Sequence, residues 1–285
     1  VEEIKASLEI PEDRIHEYFH ADLFGNHALG RTTLGTPESI GALTRERSME
    51  FMKDNYVCDR LVVSASGKIS HDEVCDLVAR RFDGWEGTSA QVSEPAPVRP
   101  RQGDFVRDEV AQQAQVCLGT TCLHNTHPLR YGAHILNTVL GGSMSSRLFQ
   151  NLREDKALCY SIYSDLELMQ DTGIFSIYFA TDHERAQFAI DLVREELTKI
   201  RKDGLSEDEL NRTKSQLRGS LILGLESASN KMNLNAKREL YDEAHEHPEE
   251  IIRRIDRISP DEVMEAADVI LDPDTLVTTS IQGQA

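Results

Sequence analysis

The chain has 285 residues, enough for two domains or one large one, and 39% of them are hydrophobic against 28% charged, an ordinary balance for a globular protein. Its formal net charge of -18 excludes a nucleic-acid backbone as the natural partner and suits solubility or basic peptides. No apolar run approaches the ~18 residues that a membrane span needs, and the sequence starts at Val1 without an initiator Met, so targeting cannot be read from it.

In chain order, the pattern predicts helix over about 1–24, helix at 44–54, a strand at 60–66 and helix at 70–82, the last opened by the capping box Ser70-x-x-Glu73. The run Glu94-Pro95-Ala96-Pro97-Val98-Arg99-Pro100 blocks both helix and sheet, and a domain boundary is placed in a linker at 94–103. A strand is expected from Asp104 to Thr121, then helix near 128–140. Strands at 160–168 and 173–180 read as a hairpin about Asp171-Thr172-Gly173. Helices dominate the rest. Ala189, Ile190, Val193, Leu197 and Ile200 form one apolar stripe ended by Gly204, and Ser206-x-x-Glu209 and Ser259-Pro260-x-Glu262 open two more helices.

A faint repeat runs through this order. The helix start Thr44-Arg45-Glu46 and the segment Leu61-Val62-Val63-Ser64 stand 215 residues before Ser259-Pro260-Asp261 and Leu276-Val277-Thr278-Thr279. The same offset sets Arg218 opposite Glu3, so the second copy carries no equivalent carboxylate.

Five cysteines, at 58, 75, 117, 122 and 159, are odd in number and form no C-x-x-C pair. They read as free thiols in a reducing compartment, so a cytoplasmic location is expected and a cysteine-based zinc site is not. His16-Glu17-Tyr18-Phe19-His20 spells H-E-x-x-H. On a helix its two imidazoles share a face and could hold zinc, with Glu17 as general base. Its extension to a third His fails, because Leu23 and Asn26 stand where Gly and His are required.

Two stretches carry a resemblance. Val1-Glu2-Glu3-Ile4, Pro11-Glu12-Asp13-Arg14-Ile15-His16 and His27-Ala28-Leu29-Gly30-Arg31 follow the order found after the inverted zinc motif H-x-x-E-H in the pitrilysin, insulinase and mitochondrial processing peptidase family. Leu140-Gly141-Gly142-Ser143-Met144-Ser145-Ser146-Arg147-Leu148-Phe149 and Leu152-Arg153-Glu154-Asp155-Lys156-Ala157-Leu158-Cys159-Tyr160-Ser161 resemble the L-G-G-G-M-S-S-R-L-F-x-x-[LI]-R-E-x-x-G-L-x-Y-S segment of its C-terminal domain. Ser143 and Ala157 replace two of that pattern's glycines.

The resemblance implies an α+β fold of two similar domains, each with helices packed on one face of a mainly antiparallel sheet. Residues 1–93 would be the C-terminal portion of a zinc-site domain truncated at its N-terminus, and 104–285 a second domain without metal. It further implies a zinc metalloendopeptidase that cleaves peptides in a chamber between the domains, inactive as this chain alone. Glu3 would be one zinc ligand, while both His ligands and the general-base Glu would lie upstream. Arg153 and Tyr160 would hold the substrate, Tyr160 also stabilising the oxyanion, and the partner would be a second, related or identical subunit. Two alternatives stay open: a non-catalytic partner subunit of the same fold, and an H-E-x-x-H zincin using His16, Glu17 and His20. Arg147 is expected to be a structural pairing residue, and His27 to brace a loop.

Overall fold

The computed structural model describes residues 1–85, 87, 98–241 and 246–283. The expected single helix over 1–24 is two helices, α1 (Glu2–Glu9) and α2 (Pro11–Phe24). Pro11 is the cause: it has no amide hydrogen to continue α1, and it disfavours helical geometry at Ile10, which is extended. Gly25, at φ +56°, ends α2. A short α3 (Pro37–Gly41) precedes α4 (Arg45–Asn55) and α5 (His71–Arg81), the latter two close to expectation.

The strand expected at 60–66 does not form. Cys58–Arg60 is a turn of 3-10 helix, and the residues after it pair with no other strand among the described residues. Leu61 and Val63 stay 43% and 48% exposed. A β-rich pattern fixes a local preference, but a strand exists only through a neighbour that takes up its backbone groups. Of the linker, residues 94–97 lie outside the described residues.

The strand expected from Asp104 to Thr121 is also two elements, β1 (Gly103–Val110) and β2 (Ala114–Cys122). Then come α6 (Arg130–Leu140), a π-helical turn at Phe149–Asp155, and the hairpin of β3 (Cys159–Leu168) and β4 (Gly173–Thr181). Helices α7 (Ala186–Asp203), α8 (Glu207–Gly224), α9 (Ala228–Leu240), α10 (Pro248–Arg257) and α11 (Pro260–Ile270) lead to β5 (Val277–Gly283). The capping boxes at Ser70, Ser206 and Ser259 open α5, α8 and α11 as their spacing predicts.

The strands form one mixed sheet, β1-β5-β2-β4-β3, antiparallel except where β1 runs parallel to β5. Strand β5 separates β1 from β2, which is why no hairpin joins those two. Both faces of the central strands are covered. Val116 and Leu118 of β2 and Phe175, Ile177 and Phe179 of β4 face α6, α7 and α11. Their neighbours Cys117, Ile174 and Tyr178 face the other way, onto Ile15, Phe19 and Leu23 of α2. Gly119 allows that approach: a Cβ there would stand 2.8 Å from the Phe19 ring and 2.2 Å from the Phe175 carbonyl oxygen. The N-terminal helix α2 is thus built into the sheet formed by residues 103–283.

Candidate functional site

Arg153 and Tyr160 come together at one end of the sheet. Helix α6 stops at Gly141, and Leu148 and Leu152 then anchor the following segment in the core. From Phe149 to Asp155 the backbone widens into the π-helical turn, closed by the Lys156 amide donating to Asn151. Such turns are rare and recur at functional sites. The chain reverses at Ala157, the one non-glycine residue with positive φ among the described residues, at +48°. Thr181 pins the exit by donating to the Leu158 carbonyl at 2.6 Å, and Tyr160 follows at the start of β3.

The Arg153 guanidinium is held between two rings, 4.6 Å from the centroid of Phe149 and 4.8 Å from that of Tyr160. The Glu154 carboxylate lies 3.7 Å away. Stacking on aromatic faces orients a guanidinium while leaving its in-plane donors free for a carbonyl or carboxylate. Tyr160 is 79% exposed, and among the described residues its hydroxyl has no hydrogen-bond partner. Beside the pair lies a hollow of about 370 Å³, lined also by Gln113, Ala157, Cys159 and Asp182. Burial raises the Cys159 thiol to about 11, so it is a neutral wall and not a nucleophile at neutral pH. Phe149 escaped the sequence reading; its i, i+4 spacing to Arg153 was the available signal.

Glu3 stands elsewhere, in the first turn of α1, exposed, while Ile4 beside it is buried. Helix α1 packs chiefly on α2. The exposed Glu3 carboxylate has no hydrogen bond to a described residue, so it fits the role of one oxygen ligand. Among the described residues no three His, Cys, Asp or Glu side chains converge on a metal position. A zinc with three protein ligands would therefore need at least one from outside them.

The residues of the H-E-x-x-H stretch each have another task. His16 Nε2 is 3.0 Å from the Tyr163 hydroxyl, and its ring lies 5.2 Å from that of Tyr178. Glu17 accepts from the Thr32 hydroxyl at 2.9 Å. His20 is half-buried beside the Leu29 backbone and sits edge-on to Phe24 and Phe19. Burial lowers both imidazoles below their ordinary value. His27 accepts from the Leu29 amide, bracing its loop. Arg147 is structural: it donates to Glu209 at 2.8 and 2.9 Å, to Glu196 at 3.3 Å and to the Gly204 carbonyl at 3.3 Å.

Comparison with known proteins decides the family. Residues 42–217 match the family model described as the peptidase M16 inactive domain, more than half of the chain. The chain belongs to the M16 peptidase family. A Bacillus subtilis protein described as the uncharacterized zinc protease YmxG is 36% identical over 92% of this chain, which spans 64% of that relative. A Streptomyces coelicolor protein described as the uncharacterized zinc protease SCO5738 is 36% identical over 95% of this chain and 61% of its own length. A probable mitochondrial-processing peptidase subunit beta of Schizosaccharomyces pombe is 31% identical over 95% of this chain and 63% of its own length. The chain thus covers less than two thirds of these M16 relatives. The M16 inactive domain from Pseudomonas fluorescens superposes with a TM-score of 0.84 at 20% identity, over 99% of this chain and 68% of that one. A protease from Helicobacter pylori gives 0.83 at 17% identity, over 96% and 68%. These two establish the shared fold.

Proposed function

We propose that this chain is the substrate-holding part of a zinc-dependent metalloendopeptidase, acting on peptides or unfolded segments in a chamber between two domains and inactive alone. The observation that carries this is the Phe149–Arg153–Tyr160 stack beside an open hollow, in a chain whose M16 relatives are named zinc proteases. Glu3 serves as one zinc ligand; two His ligands and the general-base Glu belong to a further segment of the polypeptide. Zinc, when bound, supplies a Lewis acid for the scissile carbonyl and a more acidic water.

This chain's own part is to bind and orient. Arg153 presents fixed donors to a substrate carbonyl, and the Tyr160 hydroxyl donates to the oxygen on which negative charge develops. Strand β3, which starts with Cys159 and Tyr160, is an edge strand among the described residues and offers its backbone to an extended peptide. A homodimer, or a heterodimer with a related subunit, is the proposed assembly, and a non-catalytic partner subunit is the alternative role.

The test is peptide hydrolysis by the full-length polypeptide and its Tyr160→Phe and Arg153→Ala variants. Tyr160→Phe is expected to lower kcat by about 10²-fold, the usual scale for one oxyanion donor. Arg153→Ala is expected to raise KM as well, with zinc content unchanged in both. Variants within twofold of the parent would remove Arg153 and Tyr160 from the site, and a parent with no peptidase activity would favour the partner-subunit role.

A further inference from the structure

Helix α2 is held to the sheet by two kinds of contact that do different work. Its apolar side, Ile15, Phe19 and Leu23, packs on Cys117, Ile174 and Tyr178. Hydrophobic burial is non-directional, so this packing favours contact without fixing the helix along or about its axis. A polar strip on the same helix supplies direction. Asp22, only 5% exposed, accepts from both terminal nitrogens of Arg107 on β1, at 2.7 and 2.8 Å, and from the Thr279 hydroxyl on β5 at 2.8 Å. The Arg107 guanidinium also stacks on Tyr18, 4.3 Å from its ring centroid. One turn earlier, Glu109 of β1 accepts from Tyr18 at 2.8 Å and pairs with Arg14 at 3.1 Å.

We infer that Asp22 is a positioning residue: through Arg107 and Thr279 it fixes where α1 and Glu3 stand relative to Arg153 and Tyr160. The chain of contact is short. Only Ile10 separates α1 from α2, and the two helices pack together. Helix α2 is bound to β1 and β5, and the same sheet carries Tyr160 at the start of β3. A displaced α2 would leave the Asp22 carboxylate buried without its partners, which a low-dielectric interior resists strongly. A buried, bidentate pair adds little net stability over an apolar substitute, because desolvation offsets it, but it defines one register. Asp22 touches no substrate. The inference rests on the reading that Glu3 and the Arg153–Tyr160 pair serve one site, but its test needs no activity.

The test is a spin-label distance measurement on this chain by pulsed electron resonance. Labels go on Glu2→Cys in α1 and Lys156→Cys beside the π-helical turn, in a Cys58→Ser, Cys75→Ser background. The remaining thiols suit this design: burial raises Cys117 far above its ordinary value, Cys122 to about 12 and Cys159 to about 11, so they resist labelling. The parent should give one narrow distance peak. Asp22→Asn should at least double its width, Asp22→Glu should restore it, and Thr279→Val should broaden it less. Leu197→Ala, in the fully buried stripe on the opposite face of the sheet, lowers stability without touching α2 and should leave the peak narrow. If Asp22→Asn does not fold, the Thr279→Val peak decides. A peak superimposable on the parent's in the Asp22→Asn or Thr279→Val protein, or equal broadening by Leu197→Ala, overturns the inference.

Discussion

Ala157 shows what the residue scale adds to the sequence. The motif around Arg153 and Tyr160 is recognisable from its letters, which show only that Ala157 stands where the pattern has a glycine. The backbone gives it another meaning, because φ is +48° there. A Cβ in the left-handed region costs roughly 1–2 kcal/mol, so this position favours glycine for conformation rather than space. Ala157→Gly is therefore expected to stabilise the protein by about 0.5–1 kcal/mol after glycine's larger unfolded-state entropy is deducted. Thermal unfolding should show a midpoint a few degrees higher; an unchanged or lower midpoint would mean that the turn carries no such strain. The Phe149 platform under Arg153 is signalled only by their i, i+4 spacing, and nothing in the letters announces the π-helical turn that carries it.

At the scale of elements, Arg147 joins the segment before that turn to α7 and α8 through Glu196 and Glu209. Glu209 also accepts from Ser206 as the capping residue of α8. These contacts, the Arg147 hydrogen bond first, hold the Glu209 carboxyl down to about 2 from its usual 4.5. The folded state then binds that proton less readily than the unfolded chain. The stabilisation is complete above about pH 4.5 and is lost as pH falls toward 2. Arg147→Met should destabilise the protein by about 2 kcal/mol at neutral pH, less than for a fully buried pair. It should also flatten the acid limb of stability between those two pH values, read by chemical denaturation at a series of pH values. A parallel pH curve in the variant would show that Glu209 owes its low value to the cap alone.

Element boundaries were readable where local chemistry sets them. Ser206-x-x-Glu209 and Ser259-Pro260-x-Glu262 start helices because the caps act within a few residues. The strand expected at 60–66 does not form because strand formation depends on a partner distant in sequence, and none is present among the described residues. The division of Asp104–Thr121 into β1 and β2 was hidden similarly, since β5, the strand that separates them, comes last in the chain.

For the whole molecule, the sheet, its two covered faces and the M16 family follow from sequence and structure together. The 215-residue offset relates Leu276–Thr279, at the start of β5, to Leu61–Ser64, which joins no sheet among the described residues. The sequence alone could not show that α2 covers the second face of the sheet. Its Ile15, Phe19 and Leu23 announce an apolar face, but Gly119, more than 90 residues away, makes the matching surface. Neither could it show that His16 and His20 point to separate partners, because i, i+4 spacing places two imidazoles on one face whether or not a metal joins them.

Zinc analysis of this 285-residue chain, after dialysis against a weak chelator, tests the central claim most directly. The account predicts almost no zinc, because Glu3 alone cannot retain the ion, His16 is hydrogen-bonded to Tyr163 and His20 is packed between Phe19 and Phe24. One tightly held zinc per chain, lost on His20→Ala, would contradict it and make His16-Glu17-x-x-His20 the metal centre.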